Sequence, residues 1–143
     1  MSKNIVELEK VLKVASEAAG NEYRLIKGKR IMFESTLENG ESIILCTPLS
    51  KYHETIDAGW IDITLVQYEL MESYDNAMVI FRLEGQKLSI VNWTDLKPLL
   101  TKDCMRYTKN SKEHWKLNIH DDYIKVSGND KILNVKSFIY TDE

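Results

Sequence analysis

The sequence predicts an α+β protein in which one N-terminal helix packs on a mostly antiparallel, twisted sheet of about six to eight strands. One early segment has the spacing of an amphipathic helix, and most later segments are rich in β-branched and aromatic residues separated by turn residues. The chain has 143 residues, enough for one core, and its six glycines and two prolines are too few for a linker. We therefore expect a single globular domain over residues 1–143.

The helix is predicted within residues 4–22, where apolar side chains recur every three or four positions. Asn4 and Glu7 have the spacing of a capping box at its start, and Gly20 suits a left-handed stop at its end. One face of the helix should therefore be buried against the sheet. The apolar positions of that face are Ile5, Leu8, Val11, Leu12 and Ala15.

Strands are predicted in the segments that follow the helix. Their ranges are residues 23–36, 41–48 and 59–70, and Asn39-Gly40 supplies a turn between the first two. Residues 62–72 fit two structures. The apolar residues change parity near Leu65 and Val66, which in a strand requires a bulge, whereas in a helix Asp62 would be the N-cap.

Residues 77–93 are predicted to form a hairpin with Gly85-Gln86 at its tip. The register that pairs charge with charge sets Glu84 opposite Lys87. Residues 77–81 are apolar on both faces, so this strand should lie in the middle of the sheet with the N-terminal helix over one side.

A short helix is predicted near residues 95–102, after this hairpin. Asp95 has the position of its N-cap. Pro98 then falls in the first turn, where the amide hydrogen that proline lacks is not needed. We expect this helix to connect the hairpin with the last strands.

Residues 113–130 contain two of the three histidines, three aspartates and a glutamate. With Asp121-Asp122 as a two-residue turn, Ile119 faces Ile124, and the polar and apolar sides remain sorted on both strands. We therefore predict a β-hairpin rather than a metal site. The apolar positions of its first strand are Trp115, Leu117 and Ile119.

His114 and His120 lie on the predicted polar side of this hairpin. In a strand their separation is about 20 Å, whereas zinc ligands all lie about 2 Å from the ion. Cys46 and Cys104 stand in no metal-binding spacing, and we predict that both are buried thiols. We predict neither a metal nor a cofactor.

Two kinds of phosphodiester-cleaving site are incomplete in the sequence. His53 begins a His-x-Thr pattern that two-histidine phosphoesterases need twice, and His120 lacks the threonine. Restriction-type nucleases place an Asp on one strand and Glu-x-Lys on the next; Asp62 fits the first part, but residues 87–93 carry no carboxylate. A nuclease-like enzyme, or its inactive descendant, is therefore the alternative to a protein without catalysis.

Charge is divided unevenly along the chain. Residues 1–85 hold 9 basic against 14 acidic residues, whereas residues 86–141 hold 10 against 6. The net charge of −3 argues against a protein that coats nucleic acid, but it allows one local cationic surface. Residues 102–116, a predicted basic loop, are the candidate because such a loop can contact phosphates or stack on bases. The candidate residues for contact with an anion or a partner are Arg106, Tyr107, Lys109, Lys112 and Lys116.

The sequence has no nucleotide-binding or serine-hydrolase motif, no apolar run of membrane-spanning length and no secretory signal. We therefore predict a small, non-catalytic, cytoplasmic binding protein with a protein partner and no membrane contact. Its 15 lysines against 4 arginines are typical of AT-rich bacterial or phage genomes and concern the origin of the chain rather than its mechanism. Because catalytic motifs are absent, the hypothesis includes an accessory or counter-defence protein of a phage or mobile element. Nucleic-acid binding through residues 102–116 is a further alternative.

Overall fold

The computed structural model describes residues 5–53 and 58–141. In this part of the chain it contains the α-helices α1 (Leu8–Ala19), α2 (Leu65–Glu72) and α3 (Trp93–Leu96). The first six strands are β1 (Arg24–Leu25), β2 (Met32–Thr36), β3 (Ser42–Cys46), β4 (Lys51–His53), β5 (Ala58–Thr64) and β6 (Asn76–Leu83). The next six are β7 (Lys87–Asn92), β8 (Arg106–Thr108), β9 (Lys112–Ile119), β10 (Tyr123–Val126), β11 (Ile132–Asn134) and β12 (Phe138–Ile139).

These strands form two sheets of six strands each. Sheet A has the order β1-β2-β3-β6-β7-β12, and sheet B has the order β11-β10-β9-β5-β4, with β8 also paired to β9. Neighbouring strands of the described part are antiparallel except β3 and β6, whose connection runs through β4, β5 and α2. The α+β class and the mostly antiparallel pairing are confirmed. The predicted count of six to eight strands is too low, because the chain builds a second sheet.

The inner faces of the two sheets enclose the main core. Phe81 of sheet A and Leu117 of sheet B are fully buried there, together with residues of α2 and α3. On the other side of sheet A, Val11 and Ala15 of α1 belong to a second apolar cluster with Ile80 of β6. The molecule therefore has three layers, α1, sheet A and sheet B, and β6 is covered on both faces, as predicted.

Helix α1 begins later than predicted and ends as predicted. Glu7 is its N-cap in extended backbone without a side-chain cap, and Asn4 lies outside the described residues. Glu7 therefore does not occupy the third helical position that the predicted capping box requires. Gly20 has a φ of 85° and donates its N–H to the Ser16 carbonyl, a left-handed stop that glycine adopts without steric strain.

The change of apolar parity near Leu65 and Val66 marks a strand-to-helix junction. Thr64 Oγ1 accepts the N–H of Gln67 at 3.1 Å, and Gln67 Oε1 accepts the N–H of Thr64 at 3.0 Å. This capping box starts α2 at Leu65. Of the two structures that fit residues 62–72, the strand with a bulge near Leu65 and Val66 is therefore wrong and the helix is correct, but its N-cap is Thr64 rather than Asp62.

The β6–β7 hairpin is present, but its register differs by one residue from the prediction. Leu83, not Glu84, stands opposite Lys87, which leaves a three-residue loop. Gly85 in this loop has a φ of 83°, the left-handed conformation that three-residue hairpin loops commonly use. The predicted charge pair does not form, and Lys87 Nζ instead lies 3.0 Å from Asp121 Oδ1 at the tip of the β9–β10 hairpin.

The short helix predicted near residues 95–102 begins earlier. Helix α3 starts at Trp93 and is followed by a 3-10 turn, Lys97–Leu99, that contains Pro98 near its start. Asp95 lies inside the first turn of α3 and is not its cap. Trp93, the first residue of α3, is buried in the main core.

The β9–β10 hairpin forms in the predicted register. Ile119 stands opposite Ile124, and the N–H of His120 donates to the Tyr123 carbonyl at 2.8 Å across the two-residue turn. The three apolar side chains of β9, Trp115, Leu117 and Ile119, are buried in the main core. The hairpin is therefore confirmed in register and in the orientation of its apolar side.

Both cysteines are buried, as predicted. Burial raises the pKa of the Cys46 thiol to about 12, so the reactive thiolate is scarce at neutral pH. None of the helices in the described ranges reaches the length and apolar character of a membrane span.

Candidate binding face

The basic segment 102–116 is not a loop, because a 3-10 turn, Lys102–Cys104, is followed by a β-hairpin of β8 and β9. Strand β8 pairs with the first residues of β9, so Arg106 stands opposite His114 and Thr108 stands opposite Lys112. The N–H of Ser111 in the turn donates to Thr108 Oγ1 at 3.0 Å. This hairpin extends sheet B alongside β10.

Strand pairing decides which side chains share the outer face of sheet B, which points away from the main core. Opposite residues of antiparallel strands project to the same side, and so do alternate residues along one strand. Lys116 stands opposite Asp62 of β5, and Lys125 of β10 stands opposite Asn118. Four cations whose side chains the structure describes share this side, and we call them the cationic face. They are Arg106, Lys112, Lys116 and Lys125.

Asp62 is the one acidic residue that the described strands place on the same side of sheet B. The cationic face and Asp62 together carry a formal charge of +3, whereas the whole chain carries −3. A cluster of one sign raises the local concentration of ligands of the opposite sign. This surface is therefore suited to anions although the protein as a whole is acidic.

Lys116 is held between a carboxylate and an aromatic ring. Its Nζ lies 3.5 Å from Asp62 Oδ1 and 4.5 Å from the centroid of the Trp60 ring. The Lys116 and Asp62 side chains are 27% and 28% exposed, so water screens the pair less than it screens a fully exposed one. The carboxylate and the cation–π contact together fix the ammonium over the indole.

His114 lies on the polar side of β9, as predicted, but it is fully buried. Its Nδ1 is 2.8 Å from the Lys112 carbonyl, and Nδ1 carries the hydrogen because a carbonyl oxygen can only accept. Its Nε2 lies 3.9 Å from Asp62 Oδ2, which is too long for a hydrogen bond. Nε2 has no hydrogen-bond partner among the described residues.

The structure brings three of the five predicted binding residues together. Arg106, Lys112 and Lys116 belong to the cationic face. Tyr107 is 63% exposed but stands on the opposite side of the sheet, and Lys109 lies in the turn. Tyr107 therefore does not share the cationic face, and its contact with an anion or a partner stays a prediction.

Arg106 is held along the cationic face. Its Nη2 donates to Ser127 Oγ at 2.6 Å, and Ser127 follows β10 at the level of Lys116, whose carbonyl accepts the N–H of Ser127 at 2.8 Å. The guanidinium has further donors, because it carries five N–H groups. It can therefore bind an anion while keeping this contact.

Sequence reasoning missed Trp60 and Lys125 as site residues. The sequence did indicate the position of Lys125, because the predicted hairpin register sets Lys125 opposite Asn118 on the polar side. Trp60 had none, because the pairing of β5 with β9 joins residues far apart in the chain and cannot be deduced from local patterns.

The described residues do not complete either phosphodiester-cleaving site. Asp62 and Lys116 face each other, but no second carboxylate of the described strands lies on their side. Within the described ranges, no three His, Cys, Asp or Glu side chains converge as metal ligands would. The His-x-Thr pattern that begins at His53 extends outside the described residues.

A cavity of about 600 Å³ lies away from the cationic face, between the tips of the β6–β7 and β9–β10 hairpins. Glu84 and Asp122 line it, and the ion pair between Lys87 and Asp121 lies in its wall. It also adjoins Ala58, the first described residue after the gap in the described ranges. Its polar groups of both signs do not indicate one ligand class.

Comparison of the chain with models of protein families, with curated proteins and with solved structures found no match. A function therefore has to be inferred from the geometry of the outer face of sheet B.

Proposed function

We propose that the protein is a non-catalytic binding protein that holds single-stranded nucleic acid on the outer face of sheet B. The observation that carries this proposal is the local charge of +3 formed by the cationic face and Asp62 in a chain of net charge −3. Lysine and arginine that neutralise phosphates release condensed counterions, and this term supplies most of the affinity of non-specific binding.

Aromatic side chains on the same side favour a single strand over a duplex. Trp60 of β5 lies beside Lys116, and Tyr123 of β10 projects to the same side as Lys125, two residues away. Both rings are half-buried, and His120 stacks on Tyr123 with 4.1 Å between ring centroids. The bases of a single strand can stack on aromatic rings, whereas paired bases in a duplex already stack on each other.

The dependence of binding on salt tests this proposal. The affinity for a short single-stranded DNA of mixed sequence is measured by fluorescence anisotropy over a range of salt concentrations. Each phosphate contact on a single strand contributes about −0.7 to the log–log slope, so the three cations that Asp62 does not offset predict a slope of about −2. Arg106→Ala should remove one contact and weaken binding about fivefold at about 0.1 M salt.

Lys27→Ala is the matched control for Arg106→Ala. Lys27 is exposed in the turn between β1 and β2 of sheet A, so this variant removes one positive charge away from the cationic face. Slope and affinity should stay at the wild-type values. Equal losses in both variants would indicate long-range charge instead of contact, and absence of binding by the wild type would refute the proposal.

The same mixtures test the nuclease alternative. With Mg²⁺ or Mn²⁺ present, the DNA should be recovered intact if the protein only binds it. Cleavage that disappears in Asp62→Ala would instead establish a phosphodiester-cleaving enzyme in which Asp62 holds the metal.

A protein partner is the second candidate, favoured by exposed apolar side chains at the edge of sheet A. Phe138 and Ile139 of β12 are 43% and 64% exposed, and Ile90 of the neighbouring β7 is 40% exposed. Apolar contacts tolerate moderate salt, unlike phosphate contacts. Two results together would favour this candidate. The wild type should recover a partner from lysate at moderate salt, and Ile139→Asp should fail to recover it. The wild type should also show no affinity for nucleic acid. A cytoplasmic location and an origin in a phage or mobile element stay predictions.

A further inference from the structure

We propose that His114 and Asp62 make binding on the cationic face depend on pH. Protonation of His114 at Nε2 transfers Asp62 from Lys116 to His114 and frees the Lys116 ammonium for a phosphate. This inference concerns regulation of the same surface and rests on the proposed function. It is carried by a buried ring nitrogen without a hydrogen-bond partner among the described residues, directed at a carboxylate.

When His114 is neutral, the Asp62 carboxylate forms an ion pair with Lys116. The Lys116 ammonium is 3.5 Å from Asp62 Oδ1, whereas His114 Nε2, with a lone pair and no hydrogen, is 3.9 Å from Oδ2. Two acceptors that face each other gain no hydrogen bond. The carboxylate therefore offsets one charge of the cationic face while it orients Lys116 over Trp60.

Protonation reverses this preference. A proton from solvent at Nε2 converts the imidazole into a cation with N–H donors on both nitrogens, and Nδ1 keeps its bond to the Lys112 carbonyl. An approach of about 1 Å makes a charge-assisted hydrogen bond from Nε2 to Asp62 Oδ2. Because His114 is fully buried, its charge has no access to water and depends on Asp62 more strongly than the partly exposed Lys116 does.

The charged groups around His114 come from three strands. In the described part of the chain, β5 contributes Asp62, β8 contributes Arg106 directly opposite His114, and β9 contributes Lys112 and Lys116 on either side. Three of these groups are cations, and Asp62 is the one anion among them. A bound phosphate would neutralise the cations, so ligand binding and protonation should support each other, as reciprocity between linked sites requires.

The direction in which affinity changes with pH follows from the linkage between ligand binding and protonation. The ligand prefers the protonated form, so binding should tighten as the pH falls through the interval in which histidine side chains become charged. Freeing one lysine adds one phosphate contact. One contact on a single strand corresponds to about a fivefold gain at about 0.1 M salt and to a slope about 0.7 steeper.

The test compares three proteins with single-stranded DNA between about pH 8 and about pH 5.5, where histidine titrates. The wild type should gain about fivefold in affinity on acidification. Asp62→Asn should bind equally well at both ends of the range, since its Lys116 is already free. His120→Asn, which removes the other histidine on this side of sheet B, should keep the wild-type pH dependence.

Three results would overturn the inference: a wild-type affinity that does not change with pH, a pH dependence that survives in Asp62→Asn, or one that is lost in His120→Asn. If DNA does not bind at any pH, the proposed function fails, and NMR of the free protein still decides the inference. On acidification the His114 ring and Lys116 ammonium signals should change together in the wild type. Independent changes in the wild type would refute the coupling.

Discussion

The outer faces of the two sheets have opposite chemistry. The outer face of sheet A carries apolar side chains such as Phe33 and Leu45, and α1 covers them with Val11. The outer face of sheet B carries the cationic face and Asp62, and the three described helices pack elsewhere, in the main core or on sheet A. The first face stabilises the fold, whereas the second presents charged groups that the fold does not need for its core.

This difference corresponds to different patterns of apolar and polar residues in the strands. Residues 77–81 of β6 are apolar on both sides, as expected for a strand between two apolar layers, whereas β9 alternates polar and apolar residues from His114 to Ile119. A strand of the second kind has one side available for ligands. The outer face of sheet B is therefore the surface on which we expect ligands to bind.

The largest expected effect is on the covered face. Ile80 is 1% exposed beneath α1, so Ile80→Ala should lower the free energy of unfolding by about 3 kcal/mol, within the usual range for buried isoleucine. Urea denaturation measures this loss. The same variant should bind DNA as the wild type does under conditions in which both are folded.

Ile132→Ala is the matched control on the outer face of sheet B. Ile132 stands opposite Lys125 and is 46% exposed, so the same truncation removes less buried surface and should cost about 1 kcal/mol or less. Equal losses of stability at Ile80 and Ile132 would show that the outer face of sheet B is as important for stability as the outer face of sheet A. The proposed difference between the two faces would then be wrong.

A smaller effect is expected at the end of α1. Gly20 has a φ of 85°, and a Cβ there would lie 2.7 Å from the Glu38 Cγ. Gly20→Ala should therefore lower stability by about 1–2 kcal/mol, since a left-handed conformation is unfavourable for alanine and the Glu38 side chain must also move.

Gly28→Ala separates these two contributions. Gly28 has a similar φ of 82°, but a Cβ added there would meet no atom within 4 Å. Its substitution should cost about 1 kcal/mol, the conformational part alone. Thermal unfolding of both variants measures the difference, and a larger loss at Gly28 would contradict the importance of the α1 end for covering sheet A.

The parts of the fold that depend on local sequence could be predicted. The Gly20 stop of α1, the β9–β10 register and the central position of β6 follow from spacing and alternation over fewer than twenty residues. The capping box at Thr64 and Gln67 was equally local, but the parity change drew attention to a bulge instead.

The existence of two sheets could not be predicted. Alternation shows that a strand has one buried side, but not which sheet buries it, so β5 and β9 were not recognised as neighbours. For the same reason the sequence suggested Arg106, Lys112 and Lys116 without Trp60, Asp62 or His114 beside them. The site is formed by long-range pairing, which the local pattern does not encode.

Two carboxylates of this protein each join a lysine and a tryptophan, and they occupy different regions. Asp62 contacts Lys116, which lies over Trp60 on the outer face of sheet B. Glu72 at the end of α2 accepts hydrogen bonds from Trp93 Nε1 at 2.7 Å and from Lys97 Nζ. The second arrangement ties α2 to α3 and should serve stability alone.

The smallest expected effect is therefore that of Glu72→Gln. The Trp93 hydrogen bond, with that of Lys97, holds the pKa of Glu72 below its usual value. A lowered pKa in the folded state means that the ionised carboxylate stabilises the fold above the unfolded-state value of 4.5, and that this contribution is lost as the pH falls through the folded-state pKa. Wild type and Glu72→Gln should thus differ in urea stability at pH 7 and converge at acid pH, without a change in DNA affinity.

Glu69→Gln, which removes an exposed carboxylate from the same helix, is the control and should lack this pH-dependent difference. A Glu72→Gln variant that altered DNA binding as Asp62→Asn does would remove the distinction between the two regions.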